Sequence, residues 1–305
     1  MLNFKKTCKI LSWNINGIKT KFSSPYVQEL FKEYDIVVIN ETHLNILDKC
    51  PKIFIFVSRS KPIKSKYPRG GVAIFRNMNS DIDTECITTD FRDCVIFKVM
   101  ALNVTCIVPY IPPSNSKYTS PIYMDSLKLF LDTFKNVPTI IFGDLNSRYG
   151  QPPVFSDKIN YQINPDTIIN QNGRSLLDML QNERNFLIVN GLQYNEMKCD
   201  SDFTFYRGTN KSQNDICITN HVDILQSFSI LDKNTYSDHR PICIEICSKP
   251  VIPLDTINAC AKHTFSHDHY DINRKLIKPI KLRNLNIPNT IRALEETAQE
   301  LTERQ

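Results

Sequence analysis

The feature that most constrains this chain is a recurrence of short runs rich in Val, Ile and Phe, each bounded by Gly, Pro or polar residues. They include CKILSWNI, DIVVIN, KIFIFVS, GVAIF, CVIFKVM, LNVTCIVPYI, PTIIFGDLN, FLIVNGL, DFTFYR, NDICIT, LQSFSIL and RPICIEIC. Such composition suits pleated, half-buried or buried strands. Helical spacing stands out in only three places. Residues 24–34 put Val27, Leu30, Phe31 and Tyr34 on one face. Residues 123–134 do the same with Met124, Leu127, Phe130, Leu131 and Phe134, and residues 172–184 with Leu176, Leu177 and Leu180. So many strands with so few helices do not suit a regular β-α-β alternation. They predict an α/β fold of two stacked, mostly antiparallel sheets flanked by helices, a four-layer α/β sandwich. No internal sequence repeat accompanies it.

A chain of 305 residues can bury a large core, and 41% hydrophobic with 23% charged residues is ordinary for a soluble globular protein. No apolar stretch reaches the length needed to span a bilayer, so no membrane partner is expected. The N-terminal run alternates and carries no small-residue cleavage pattern, which reads as a first strand rather than a signal peptide. Ten cysteines are present, none in C-x-x-C spacing and several inside strand runs. Without a secretory signal they predict reduced thiols and a nuclear or cytoplasmic location.

The last strand-like run ends near Ser248. Beyond it the chain is polar with scattered prolines, so a domain over residues 1–250 is expected, followed by a linker-like extension over 251–305. That extension carries a predicted helix near 288–303, with Ile291, Leu294 and Leu301 apolar. Its HTFSHDHY segment groups His263, His267, Asp268 and His269 without cysteine partners or helical i, i+4 histidines, which fits surface histidines better than zinc.

Charge is uneven. Residues 1–80 hold fourteen Lys or Arg against five Asp or Glu. The densest run, RSKPIKSKYPR, brings Arg59, Lys61, Lys64, Lys66 and Arg69 together with Tyr67 and no acid. A solvated loop explains such a run; so does a surface that tracks phosphates and gains by counterion release.

Polar groups gather where strands end. SWNING offers Asn14 and Asn16, INETHL offers Glu41 and His43, and VPYIPPS offers Tyr110. IIFGDLNSR offers Asp144 and Asn146, NDICIT offers Asp215, and TYSDHRPI offers Asp238 and His239. Taken singly, the Asn and Asp residues read as ordinary turn formers, Glu41 as a cap or lysine partner, and Tyr110 as a half-buried packing residue. Together they make up the parts of metal-assisted phosphate hydrolysis. Glutamate and amide oxygens suit a hard cation, and a carboxylate such as Asp144 can take a proton from water. Asn146, Tyr110 and His239 can face phosphoryl oxygens, and a carboxylate such as Asp215 can fix a histidine tautomer.

The motifs SWNING, INETH, GGVAIF, IIFGDLNS, SQNDICI and YSDHRPI, in that order over residues 8–248, resemble the endonuclease/exonuclease/phosphatase superfamily, which is DNase I-like. The ETH form of the glutamate motif, the Tyr-x-Pro-Pro and the Ser-Asp-His-Arg-Pro ending are most similar to the apurinic-like endonuclease domain of LINE-type (non-LTR) retrotransposon proteins. That resemblance implies Asn14 and Glu41 as Mg²⁺ ligands (Mn²⁺ as a substitute), with Asp238 assisting. It implies Asp144 positioning water, Asn146 and Tyr110 binding the scissile phosphate, and His239, oriented by Asp215, stabilising the transition state. Ser212 and Thr204 match positions at the rim of the phosphate site. Asn40 stands where glutamine is common, Asn16 where aspartate is common, and Leu145 where phenylalanine is common. His43 and His221 receive no role beyond the motif match.

The expected function is a Mg²⁺-dependent nuclease that nicks one DNA strand and leaves a 3′-hydroxyl to prime reverse transcription. DNA is the expected partner, with Lys61, Lys64, Lys66 and Arg69 among its contacts. A reverse-transcriptase domain is expected downstream in a full-length element; its absence makes the chain a fragment, an excised domain or a truncated copy. Abasic-site or other phosphoester hydrolysis, and a non-catalytic DNA-binding module, are the alternatives.

Overall fold

The computed structural model describes residues 6–44, 54–59, 70–89, 91, 93–151, 161–183 and 185–248, with only the backbone at 54–59 and 161–162. In chain order the strands and helices are β1 (Thr7–Asn14), α1 (Pro25–Lys32), β2 (Ile36–Asn40), β3 (Phe54–Arg59), β4 (Val72–Asn77), β5 (Thr84–Ile87), β6 (Cys94–Val99), β7 (Val104–Pro109), α2 (Pro121–Phe134) and β8 (Thr139–Asp144). They continue as β9 (Tyr161–Gln162), α3 (Gln171–Asn182), β10 (Leu187–Ile188), β11 (Leu192–Tyr194), β12 (Met197–Lys198), β13 (Phe205–Arg207), β14 (Asn210–Ser212), β15 (Asp215–Thr219), β16 (Leu225–Ile230) and β17 (Ile242–Cys247).

Two six-stranded sheets dominate, in the orders β16-β17-β1-β2-β4-β3 and β10-β15-β8-β7-β6-β5. In each, one central pair is parallel, β1 with β2 and β7 with β8, and the other pairings are antiparallel. A parallel pair needs a crossover, which α1 supplies in the first sheet and α2 in the second. The two sheets therefore repeat one arrangement that the sequence does not repeat. The expected α/β sandwich is the fold observed.

Alternation along the strands assigns the layers. Cys8 and Ile10 of β1, Ile36 and Val38 of β2, Val72 and Ile74 of β4 pack against Cys106 and Val108 of β7, Ile140 and Phe142 of β8 and Cys217 of β15, forming the core between the sheets. The opposite face of the first sheet, with Leu11, Trp13, Val37, Ile39 and Phe75, meets Val27 and Phe31 of α1. The opposite face of the second, with Ile96, Ile107 and Ile141, meets Leu127, Phe130 and Leu131 of α2 and Leu176 and Leu180 of α3. The three helices predicted within residues 24–34, 123–134 and 172–184 form where their spacing placed them. Ser120 caps α2, its hydroxyl accepting from the Ile122 amide, and Asn170 caps α3 by accepting from the Gly173 amide at 2.7 Å.

Differences from the sequence expectation fall on short pieces. FLIVNGL divides at a left-handed Gly191 (φ +72°) into β10 and β11, which belong to different sheets. The strands β5, β9, β12 and β14 had no alternating apolar signature; they are two to four residues long and are defined by the partner they pair with. Residues 249–305, including the predicted 288–303 helix and the four-residue His/Asp group, lie outside the described residues. No described helix is long and apolar enough to cross a membrane. The described cysteines are free thiols, Cys8, Cys94, Cys106, Cys199, Cys217 and Cys247 of them buried.

Candidate active site

The inward-facing stripes that build the inter-sheet core change from apolar to polar at one end. Ile10 is followed two and four residues on by Ser12 and Asn14, Val38 by Asn40, Val108 by Tyr110, and Phe142 by Asp144, while Asp215 precedes Cys217 on the adjacent strand. Period-two alternation thus carries the core straight into a polar floor. The β8–β15 register sets Asp215 directly opposite Asp144, and the β1–β2 register sets Asn14 beside Asn40.

Tight hydrogen bonds fix these groups. Asn14 donates from Nδ2 to Asp144 Oδ2 at 2.8 Å, and its Oδ1 accepts from the Asn16 amide at 3.1 Å. The Tyr110 hydroxyl donates to Glu41 Oε1 at 2.7 Å, and His43 Nε2 lies 3.5 Å from Glu41 Oε2. His239 Nδ1 lies 2.8 Å from Asp215 Oδ2, leaving Nε2 directed at Asp144 Oδ2, 3.8 Å away. The carboxylate and imidazole ligand atoms of Asp144, Asp215 and His239 lie within 4.8 Å of one another. Asn146, in the left-handed region (φ +46°), donates its amide to Asp144 Oδ1 at 3.1 Å and commits one Nδ2 hydrogen to the Ile111 carbonyl at 2.9 Å. Its second Nδ2 hydrogen has no acceptor among the described residues.

Electrostatics follow from this burial. Burial alone would raise the Glu41 carboxyl, but hydrogen bonds from His43, Tyr110 and Asn14, with the charge of His239, pull it down to about 2. Asp144 is displaced upward, first by burial and then by the Asp215 and Glu41 carboxylates, against the opposing pull of His239 and Asn14. His239 is held well above the ordinary histidine value: burial disfavours its charge, but Asp215 and Asp144 outweigh it. Burial, with the Glu41 and Asp144 carboxylates, keeps the Tyr110 hydroxyl protonated.

Neighbouring backbone is shaped to fit. Gly143 (φ +143°) precedes Asp144, and a Cβ there would stand 2.7 Å from the Pro109 carbonyl oxygen. Asn40 is fully buried facing that glycine, and its amide finds no hydrogen-bond partner among the described residues. Lys21 donates to the Ile15 carbonyl and, at 3.0 Å, to that of Asn16; burial lowers its affinity for its proton.

The expected site residues do not all meet. Asn14, Glu41, Tyr110, Asp144, Asn146, Asp215 and His239 converge. The Asp238 carboxylate instead turns to Arg207, with Arg207 Nε donating at 3.1 Å, and is 40% exposed. Thr204 is fully buried, and its hydroxyl accepts the amides of Asn214 and Asp215, each at 3.0 Å. It thereby anchors the start of β15. Ser212, also buried, pairs with Phe205 across the β13–β14 hairpin. Lys61, Lys64, Lys66 and Arg69 lie outside the described residues. Residues that the sequence did not single out also border the site: Phe205, whose ring meets His239 edge-on at 4.9 Å, and Trp13, which donates from its indole to the His239 carbonyl at 2.9 Å. The basic and aromatic mix of β13 was visible in the sequence, but its proximity to His239 was not.

The sequence profile of the Endonuclease/Exonuclease/phosphatase family matches residues 11–239. The chain belongs to that family. Its members' chemistry makes the protein a metal-dependent phosphodiesterase or nuclease. No curated protein matches its sequence. Among solved structures it is similar to the endonuclease domain of TRAS1, a telomere-specific non-LTR retrotransposon (14% identity, TM-score 0.56, 80% of this chain and 100% of that one). It is similar to the AP endonuclease LMAP from Leishmania major (12%, 0.60, 79% and 88%). The 3′ phosphatase NExo from Neisseria, bound to a product DNA hairpin, is a further relative in fold (16%, 0.55, 78% and 99%). At these identities the likeness is one of fold, the DNase I-like sandwich.

Proposed function

We propose that this protein is a Mg²⁺-dependent DNA endonuclease of the retrotransposon type, which nicks one strand and leaves a 3′-hydroxyl able to prime reverse transcription. The observation that carries the reading is the convergence of Asn14, Glu41, Asp144, Asp215 and His239 at one end of the inter-sheet core. Their donor set fits a hard divalent cation: Glu41 stays ionised, and Asn14 Oδ1 keeps a lone pair beyond the one given to the Asn16 amide. Glu41 and Asn14 would hold the ion, which when bound neutralises charge on the phosphoryl group and leaving oxygen.

The chain's own residues supply the rest. Asp144 is an acceptor for the proton of an attacking water, its proton affinity raised by burial. Two hydrogen bonds, from Asn14 and the Asn146 amide, fix the plane of its carboxylate. His239, with Nδ1 bound to Asp215, is kept protonated and presents Nε2–H to a phosphoryl oxygen. Asn146 offers its second amide hydrogen to the same group. Tyr110 fixes Glu41 and stays a hydrogen-bond donor.

The β13–β14 hairpin beside His239 supports DNA as substrate. Lys211 lies over the Phe203 ring at 4.4 Å, Lys233 over Tyr206 at 5.1 Å and Arg207 over Phe205 at 6.0 Å. Cations interleaved with aromatic faces suit a polyanion with stackable bases. The likeness to LMAP and NExo favours a second reading, in which the same groups cleave at abasic sites or remove 3′ phosphates. Rates on intact plasmid, an abasic duplex and a 3′-phosphorylated duplex separate the two. Plasmid nicking lost in Asp144→Ala and His239→Ala supports the first; activity confined to the abasic or 3′-phosphorylated substrate supports the second. DNA binding without turnover in any divalent cation contradicts both.

A further inference from the structure

We propose that Ser237 is a positioning residue for this reaction, holding His239 and Asn14 in register, with Trp13 as the second arm of the same latch; the proposal rests on the catalytic reading of the site. His239 and Asn14 belong to segments 225 positions apart in sequence, and no strand pairing joins them directly. Antiparallel pairing of β17 with β1 stops at Ser12–Ile242, short of both residues. Beyond that point hydrogen bonds take over. The Ser237 hydroxyl donates to the Asn14 carbonyl at 2.6 Å and accepts from the His239 amide at 3.1 Å. One hydroxyl thus bridges the backbone of a residue assigned to the metal and the backbone of the histidine assigned to the phosphate. Trp13, fully buried against α1, reaches back to the His239 carbonyl at 2.9 Å. Both main-chain polar groups of His239 are therefore tied to β1 or to the residue that β1 holds.

Side-chain contacts alone do not set the imidazole. Asp215 fixes its tautomer and Phe205 its ring face, but Asp215 belongs to the second sheet and Phe205 to the separate β13–β14 hairpin. Ser237 and Trp13 fix the main chain of the histidine against the end of β1, three residues before the chain enters β17 of the same sheet, on the side where Asn14 and Glu41 sit. Loss of the bridge lets the two halves of the site shift relative to each other, and a displacement of about 1 Å can cost on the order of a hundredfold in rate.

Trp13 is the only tryptophan, so its indole N–H gives one resonance in an ¹⁵N-correlated spectrum and reports the latch directly. Ser237→Ala is expected to shift that resonance and to slow single-turnover cleavage of a DNA duplex by about 10- to 100-fold with unchanged KM. Ser237→Thr, which keeps the hydroxyl, is expected to recover most of the rate. Trp13→Phe, which removes the N–H, should lower kcat in the same direction and provides a second variant if Ser237→Ala fails to fold. An unshifted indole resonance in Ser237→Ala overturns the proposal. So does a wild-type rate in that variant, or an equal loss in Ser237→Thr. Absence of cleavage by the wild-type protein would instead overturn the catalytic reading, and the indole shift would still decide whether the latch exists.

Discussion

Two adjacent backbone amides, those of Asn214 and Asp215, share the Thr204 hydroxyl, so the strand that carries the histidine's partner starts from a fixed point. Thr204→Val keeps the volume and removes the acceptor, leaving two buried donors unpaired. It should lower stability by about 1–3 kcal/mol, read as a fall in the denaturant midpoint at constant slope. Asn40 should behave in the opposite way. Its buried amide has no hydrogen-bond partner among the described residues, so Asn40→Leu should leave stability within about 1 kcal/mol or raise it. A loss of several kcal/mol would show that the amide is bonded in solution. At this scale the sequence pointed to the groups proposed to act on a ligand and to Asp215 beside the histidine, but it singled out neither Trp13 nor Ser237 and gave Thr204 no anchoring role. Asp144, His239 and Glu41 stand in short local motifs at strand ends. Trp13, Ser237 and Thr204 matter through hydrogen bonds whose partners are set by the fold, over separations as long as that from Trp13 to His239. Asp238 was legible as a polar residue beside the histidine, but its side-chain direction depends on Arg207 of a distant hairpin.

Helix α3 and the loop after β8 form one element-scale unit beneath Asn146. The Asn170 side chain caps the helix at Gly173 and also takes the Arg148 amide at 3.1 Å, while donating to the Asn146 carbonyl at 2.8 Å. Gly173 allows that approach, since a Cβ there would fall 1.8 Å from the Arg148 carbonyl oxygen. Gly173→Ala should therefore cost about 3 kcal/mol or more, the upper end of overpacking, despite the better helix propensity of alanine. Thermal unfolding measures it, and a neutral result would mean the loop is free to move away. The buried Asp166 carboxylate binds Arg148 in a fork, at 2.7 and 2.8 Å, and also accepts the Gln213 amide at 3.0 Å. Asp166→Ala leaves that guanidinium and amide without their partner and should destabilise by about 3 kcal/mol, moderated by the partial exposure of Arg148. Elements were well read where they were long. Val27, Phe31, Leu127, Phe130, Leu131, Leu176 and Leu180 all lie on the buried faces that their spacing predicted. The two-residue strands β9 and β12 were not readable, because their hydrogen-bond partners define them.

At the scale of the molecule, two sheets of like topology stack so that their inward stripes end in polar residues at a shared edge. Asn14 and Asn40 come from the first sheet; Tyr110, Asp144 and Asp215 come from the second. A site built this way exists only when the sandwich is assembled. The layer architecture was legible from strand number and the scarcity of helices. The parallel pairs at the centre of each sheet were not, since strand order depends on which crossovers the helices make. If DNA is the ligand, its affinity should fall steeply between 50 and 200 mM salt, roughly tenfold or more for a few phosphate contacts, in a binding titration with Asp144→Ala. The measurement that bears most directly on the central claim is nicking of supercoiled plasmid in Mg²⁺ by wild-type, Asp144→Ala and His239→Ala proteins. A polymerase fill-in step would report the nicked end. The proposed reaction gives open-circular product with an extendable 3′-hydroxyl from the wild type, lost on chelation and reduced at least about a hundredfold in each variant. Nicking that persists in both variants would contradict it.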